Sequence, residues 1–444
     1  MNRFNFKTSA RAVLFSGITT VFASAITAAS AGLFSSTTMA SSEFEQFKQQ
    51  YLAESESYKK TQTDEFKAYV KAYKEAFADY KKELSSVWGD DVSISDETTW
   101  VTHTDDLTTR SEVDFEKDEI RITLIVEDEL PEEAIKEKLN EQLTKLADTS
   151  VDQAQKEDPI TQKVEALVKP QQITPTLPPK HKPDTKPVIT LVDKPVKTPE
   201  AKKQIEDLVK TAKVVIKPAP KVTPKQVTPK QVVPKPKPKT TKKPTAKPVN
   251  KHRIVMTIPL PKTAISSKAD RFKKPVDQSA SKWKMDEALV LAVIHTESSF
   301  NPMARSHIPA YGLMQIVPRS AGQDASALIY GNSRMLTSSY LYTPDKNINV
   351  GTAYLHILDK RYLRKIKDPE SRLYCVVAAY NTGAGNVARA FTGTTSVSKA
   401  APKINSMTPY QVYNHLLRNL PHDETKDYLK RVTSRYEAYK KSVL

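Results

Sequence analysis

The sequence predicts a mainly α protein, in which a small α+β domain and a disordered Pro/Lys linker precede a helical globule. Three observations carry this. Residues 171–250 hold 16 of the 30 Pro and none of the ten Gly. An aromatic stripe at helical spacing gives way, near residue 100, to alternation with period two. Near-continuous apolar helices then recur after residue 280, where seven of the ten Gly are also found.

The first 40 residues read as an export signal. Arg3, Lys7 and Arg11 precede an apolar, small-residue run from Ala12 to about Ala31, with small residues suited to cleavage near Ala31 or Ala40. An uncleaved anchor is the alternative, because the run is long for a signal core. The one cysteine, Cys375, lies in the apolar run Leu373–Tyr380 and reads as an inert buried thiol. It leaves no partner for an intramolecular disulfide, and no lipid-anchor Cys follows the apolar run. A periplasmic location is expected, with membrane association left open.

The accessory domain is expected over residues 43–150. Phe66, Tyr69, Tyr73, Phe77 and Tyr80 fall at spacings of three and four, one face of a helix that Phe44, Phe47 and Tyr51 begin. Such a stripe is a packing face far more often than a ligand site. From Trp100 the pattern is that of strands. Val113 and Phe115, then Ile120, Ile122, Leu124 and Val126, flank Glu116-Lys117-Asp118 as a hairpin would. A charged helix follows at about 132–150, and no catalytic constellation is visible in this part.

The linker is expected over 159–250. It carries the imperfect repeats Val222–Gln226 and Val227–Gln231 and the run Pro234–Lys239, and residues 171–250 hold 19 Lys against five acids. Such a chain repels itself, favours polyproline II and buries too little apolar surface to fold. Some 80 residues at about 3.1 Å each would reach roughly 250 Å if fully extended. One helical interruption is predicted at Glu200–Ile216. Charge divides the chain in the same way: of the total of +17, residues 1–170 are acidic, while 171–250 and 251–444 are both strongly basic. An export signal turns that basic character away from nucleic acid and towards anionic envelope polymers.

The helical globule, 251–444, holds the chemistry. A helix over Asp286–Glu297 is apolar nearly all round and therefore buried. It runs into Ser298-Ser299-Phe300-Asn301-Pro302, which closes it. Glu297 thus sits at the end of an apolar element, where burial raises a carboxyl pKa and suits it to general acid work. A glutamate near a helix end is more commonly solvated, so that helix alone does not decide the matter. Further on, Gly312-Leu313-Met314-Gln315 combines a permissive backbone with an amide. Ala379-Tyr380-Asn381 with Gly383 and Gly385 closes the apolar helix Leu373–Tyr380. Glu424-Thr425-Lys426-Asp427-Tyr428 opens a last helix through Val432 and Tyr436. These segments bring one acid, aromatics for stacking on sugars and amides for bonding them.

Glu297-Ser298, Gly-Leu-Met-Gln ending eighteen residues after that Glu, Ala-Tyr-Asn and Glu-Thr-x-x-Tyr together resemble the soluble-type lytic transglycosylase family, related to goose-type lysozyme, over about 275–440. Each motif alone is weak; the combination is specific. The aromatic helix, Leu84-x-x-x-Trp88-Gly89, Trp100 and the hairpin at Phe115 resemble the N-terminal domain of the membrane-bound murein transglycosylase C group. The missing lipid-anchor Cys and the long Lys/Pro linker depart from that pattern.

The resemblance implies a lysozyme-like helical fold and cleavage of peptidoglycan between N-acetylmuramic acid and N-acetylglucosamine, giving 1,6-anhydromuramic acid products. Glu297 would be acid and then base. Ser298, Ser306, Met314, Gln315, Tyr380, Asn381, Glu424 and Tyr428 are the implied substrate-binding residues. Met314 would pack on a sugar face, Tyr428 would hold either the sugar or the glutamate, and Glu424 would be catalytic support or merely a helix-start residue. No cofactor and no metal are implied, since His295, His307, His356, His415 and His422 show no usual ligand spacing. The expected partner is the glycan strand, with an outer or inner membrane surface as a further candidate and nucleic acid excluded. A muramidase that uses water, and a non-catalytic peptidoglycan-binding spacer across the periplasm, are the rival readings.

Overall fold

In the computed structural model, residues 63–127, 130–169, 184–219 and 252–443 are described. The signal segment, Phe44, Phe47, Tyr51 and the repeats of 222–239 lie outside them.

The aromatic stripe becomes a helix, α1, through the described residues 63–88. Tyr69, Tyr73 and Tyr80 are buried on it, and Phe66 and Phe77 are half-buried against the same core. Its last turn is pinned by Trp88, fully buried, whose indole N–H donates to the Leu107 carbonyl at 2.8 Å. The period-two segments become β1 (Thr99–His103), β2 (Thr109–Asp114) and β3 (Glu119–Val126). The hairpin has the expected register, with Val113 opposite Ile120. The charged helix is α2 (Glu132–Asp148), burying Ile135, Leu139, Leu143 and Leu146.

The linker expected over 159–250 gives way to folded chain at both ends. After α3 (Val151–Glu157), α4 spans Pro159–Val168. The Asp158 side chain caps it by accepting from Thr161 N–H, Pro159 sits where its missing N–H costs nothing, and Ile160 and Val164 are buried. Further on, Val188, Ile189 and Leu191 are buried, and α5 (Pro199–Lys210) buries Ala201 and Ile205. Lys213–Pro218 is then a strand, β4, where the helical interruption had been expected to run on to Ile216. Averaged composition hides this: a few apolar side chains among many Lys and Pro are enough when an existing helix supplies the other face, as α2 does for α5.

That sheet is completed from beyond the Lys/Pro run. Strand β5 (His252–Pro259) lies between β3 and β4 in the order β1-β2-β3-β5-β4, every pairing antiparallel. Ile254, Met256 and Ile258 are buried opposite Leu124, Ile122 and Ile120. The boundary expected at residue 251 is therefore displaced: 252–259 belong to the sheet, and the helical part begins with α6 (Lys262–Trp283).

The remaining elements are helical. They are α7 (Glu287–Ser298), α8 (Ala321–Tyr330), α9 (Ser338–Tyr342), α10 (Pro344–Ile357), which runs into a π turn at Leu358–Tyr362, and α11 (Pro369–Thr382). Then come α12 (Ala384–Thr392), α13 (Val397–Asn405), α14 (Pro409–Asn419) and α15 (Asp423–Val443). The helix predicted over Asp286–Glu297 is α7, with Asp286 as its N-cap accepting from Ala288 N–H and Leu289–Ile294 buried on every side. It packs on α15, and α15 packs on α11, so α15 joins the other two helices that carry the sequence motifs. Cys375 is buried inside α11. The fold is mainly α, with a small sheet ahead of the helical domain, and Thr63–Leu444 make one compact unit. Among the described residues, no helix is long and apolar enough to cross a membrane.

Candidate active site

A cleft of about 760 Å³ opens where the ends of α7, α11 and α15 meet, and Glu297, Gln315, Tyr380, Asn381, Glu424 and Tyr428 line it. Glu297 occupies the last turn of α7. Helix α7 stops there because Ser299 and Phe300 turn left-handed (φ 49° and 68°), which leaves the glutamate at the mouth of an apolar cylinder. The Tyr428 hydroxyl donates to its Oε1 at 2.7 Å. Burial pushes the Glu297 carboxyl up to about 8. Tyr428 and Arg431 oppose the shift, and the nearby Glu424 and Glu97 carboxylates reinforce it. Glu297 is thus half-buried, and the contact that Tyr428 makes is with the glutamate.

The segment 310–316 forms the wall beside it. Gly312 is left-handed (φ 73°), and a Cβ there would lie 2.5 Å from both the Leu341 carbonyl oxygen and Asn347 Nδ2. Glycine is required here by protein packing and not by a ligand. Gly312→Ala is expected to destabilise the fold by about 2 kcal/mol through the positive φ and the overlap, read as a lower midpoint in urea unfolding. Gln315, also left-handed (φ 46°), donates from its amide to the Gly312 carbonyl at 2.9 Å, and its Oε1 is buried without a partner. Tyr380 donates to the Met314 carbonyl at 2.8 Å. Asn381 accepts from the Thr425 hydroxyl at 2.6 Å, which ties the Ala-Tyr-Asn segment to the Glu-Thr-x-x-Tyr segment. Glu424 lies in the first turn of α15 and lines the cleft. Ser306 also lines the cleft, and its carbonyl accepts from Tyr73 of α1.

Two expected substrate contacts are corrected. Ser298 is fully buried, and its hydroxyl is within bonding distance of the Ile294 and Leu313 carbonyls at 3.0 and 2.9 Å. It clips the end of α7 to the 310–316 wall and does not reach the cleft. Met314 is fully buried as well: its sulfur lies so close over Gly351 of α10 that a Cβ there would be 2.3 Å away.

Several cleft residues carry no signal in the sequence. Asp96, Glu97 and Thr98 come from the turn before β1, about 200 residues from Glu297 in the chain. They are held against the segment after α7, where Arg305 N–H donates to the Asp96 carbonyl at 3.2 Å and Asn301 Nδ2 to that of Glu97 at 3.4 Å. Arg305 reaches further to Asp158 at 2.5 Å. Arg431 was within reach of sequence reasoning, since it follows Tyr428 by three positions on one helical face.

Removing the Tyr428 hydroxyl tests the geometry around the acid. Tyr428→Phe takes away a bond that lowers the Glu297 pKa, so any activity requiring the protonated acid should keep its alkaline limb to higher pH. Maximal rate should fall by roughly 10-fold or more as the carboxyl loses its anchor, and a pH–rate profile reads both effects.

Parts of the chain are similar to known proteins. Residues 274–402 match the Transglycosylase SLT domain, and residues 60–170 match the N-terminal domain of membrane-bound lytic murein transglycosylase C. Proteins described as membrane-bound lytic murein transglycosylase C from Klebsiella pneumoniae subsp. pneumoniae and from Salmonella arizonae are each 42% identical over 186 residues, covering 42% of this chain and 51% of theirs. The chain therefore spans about half the length of the curated relatives it matches. Among solved structures, an inactive mutant of lytic transglycosylase Slt from Pseudomonas aeruginosa is similar at 23% identity and a TM-score of 0.30, over 38% of this chain and 24% of that one. The chain thus has a region similar to the Transglycosylase SLT domain, preceded by one similar to the N-terminal domain of membrane-bound lytic murein transglycosylase C.

Proposed function

We propose that this protein is a peptidoglycan lytic transglycosylase. It cleaves the β-1,4 bond between N-acetylmuramic acid and N-acetylglucosamine and leaves 1,6-anhydromuramic acid ends. The observation that supports this best is a half-buried glutamate, Glu297, whose carboxyl is raised to about 8 by desolvation, at the wall of an open cleft. Its Oε1 is engaged by Tyr428, so the transferable proton sits on Oε2.

The chemistry needs only that one acid. Glu297 gives its proton to the glycosidic oxygen, the bond to the muramic acid anomeric carbon breaks, and the N-acetylglucosamine leaves with its 4-hydroxyl restored. The muramic acid's own acetamido group stabilises the cationic centre, as in substrate-assisted glycosidases that work without a second carboxylate. Glu297, now a carboxylate, takes the proton of the 6-hydroxyl as that oxygen closes on the anomeric carbon. The acid is regenerated and no water is consumed. Tyr428 steadies the carboxylate between the two steps, and Arg431 offsets its transient charge. Ser306, Gln315, Tyr380 and Asn381 line the path of the strand, and the unpartnered Oε1 of Gln315 is an acceptor for a sugar hydroxyl or amide.

The relatives' description as membrane-bound supports an envelope location, and we place this protein in the periplasm, exported by its N-terminal segment and working on glycan strands beside a membrane surface. Mass spectrometry of peptidoglycan digested by the whole chain, and by the chain carrying Glu297→Gln, tests the reaction. Anhydromuropeptides from the former and none from the latter are expected. Products heavier by one water would make it a muramidase, and no product from a folded wild-type chain would leave a binding protein.

A further inference from the structure

The cleft is acidic although the domain that carries it is basic. Residues 251–444 hold 29 Lys and Arg against 14 acids, yet Asp96, Glu97, Glu297 and Glu424 face the cleft against only Arg431 and His307. Three of these four carboxylates have an evident occupation. Glu297 is the acid. Glu424 stands exposed at the start of α15. Asp96 Oδ1 accepts from the backbone N–H groups of Thr98 and Thr99 at 2.9 and 2.7 Å, which shapes the turn into β1.

Glu97 is different. Its backbone is fixed from both sides, by the Asp96 turn within its own loop and by the bonds from Asn301 and Arg305 across the cleft wall. Its carboxylate, half-buried and lining the cleft, accepts from its own backbone N–H but meets no hydrogen-bonding or ion-pairing side chain among the described residues. Burial pushes its pKa up, and Asp96 and Glu424 add to the rise against His307. Holding a carboxylate part-way out of water with no cationic side chain bonded to it costs free energy that a cationic partner would offset. A partner with a hydrogen-bonding positive charge restores what the empty cleft lacks.

We propose that Glu97, supplied by the sheet-containing N-terminal part of the chain, receives a primary ammonium group of the substrate and so sets the protein's preference among strands. This rests on the reading of the cleft as a glycan-cleaving site. A peptidoglycan strand offers that chemistry from two sources: the free amine of a diamino acid in the stem peptide, or a glucosamine that has lost its acetyl group. An amide or hydroxyl on the strand would not distinguish a glutamate from a glutamine at this position, whereas an ammonium does.

The test compares kcat/KM of the whole chain and of its Glu97→Gln variant on matched strands. One pair is peptide-bearing, fully N-acetylated strands before and after chemical acetylation of the stem amines. The other is peptide-free strands with and without partial de-N-acetylation. In the pair that supplies the natural ligand, the wild type should favour the ammonium form by roughly tenfold, the scale of one charge-assisted bond, and the variant by about onefold. The pair that shows the preference identifies the source. A wild-type ratio near one in both pairs, or a tenfold ratio that persists in Glu97→Gln, overturns the proposal. Binding of the same strands to the Glu297→Gln chain, with and without Glu97→Gln, separates this from the cleavage reading. If nothing is cleaved but ammonium strands still bind roughly tenfold better only when Glu97 is present, the inference about Glu97 stands and the transglycosylase reading falls. Equal binding overturns the inference about Glu97.

Discussion

Glu297→Gln should lower strand cleavage by roughly 10³-fold, since in the proposed reaction one side chain serves as both acid and base and such groups each contribute about 10²–10⁴-fold. Glutamine keeps the shape and can still accept from Tyr428, so the loss isolates proton transfer. The same variant should be more stable than the wild type at pH 8. The Glu297 carboxyl is raised from its ordinary 4.5 to about 8 by burial. Between those values the folded chain holds a proton that the unfolded chain has released, so stability falls as pH rises through this window. The contribution is complete below the unfolded value and is lost as pH passes the folded one. Glutamine does not titrate. Thermal melts of the two chains should therefore converge near pH 4 and separate steadily towards pH 8, with the variant melting higher. Wild-type cleavage should decline above about pH 8, where the acid is no longer protonated. Equal melting temperatures at pH 8 would show that Glu297 is better solvated than its surroundings indicate.

Asn347→Ala should destabilise the fold by about 3 kcal/mol, because each buried backbone group left without a partner costs about 1–3 kcal/mol. Asn347 of α10 is itself buried. Its Oδ1 accepts from Met314 N–H at 2.8 Å, and its Nδ2 donates to the Tyr311 and Leu341 carbonyls, both at 2.7 Å. Met314 N–H and the Leu341 carbonyl thus rely on this side chain, which also gives a second bond to the Tyr311 carbonyl already accepting from Ile316 N–H at 3.1 Å. The 310–316 wall also holds Leu313, which accepts from Ser298, and the Met314 carbonyl, which accepts from Tyr380. Loss of the amide should therefore lower both the urea midpoint and the cleavage rate well below the unfolding range. A variant as stable as wild type would mean that water replaces the side chain.

Much of the helical architecture is legible in local periodicity. The spacing of Tyr69, Tyr73 and Tyr80 is a property of one turn after another, and so is the unbroken apolar run of α7; neither needs a distant partner to be recognised. The hairpin of β2 and β3 is likewise a contact between neighbours in sequence. Strand β4 is the opposite case. Lys213–Pro218 holds three apolar residues, Val214–Ile216, all exposed, and nothing in its composition separates it from the Lys/Pro segment around it. It is a strand because β5 lies beside it, and β5 comes from the far side of that segment.

The site divides in the same way. Glu297, Gln315, Tyr380, Asn381 and Tyr428 could be named because each stands at the end of a helix or in a turn whose sequence is distinctive. Ser298 and Met314 sit in the same distinctive strings yet face the interior, since a motif marks a segment and not the direction of every side chain in it. Glu97 shows the converse, an undistinguished residue brought to the cleft only by the docking of its loop on Asn301 and Arg305.

By itself the sequence determined the helices, the hairpin and the glutamate at the end of a buried element, because those depend on interactions within a few residues along the chain. Only the tertiary structure decided the acid's raised pKa, the fate of the linker's ends and the membership of the cleft. Each of these depends on desolvation or pairing by segments tens to hundreds of residues away, which no local pattern records.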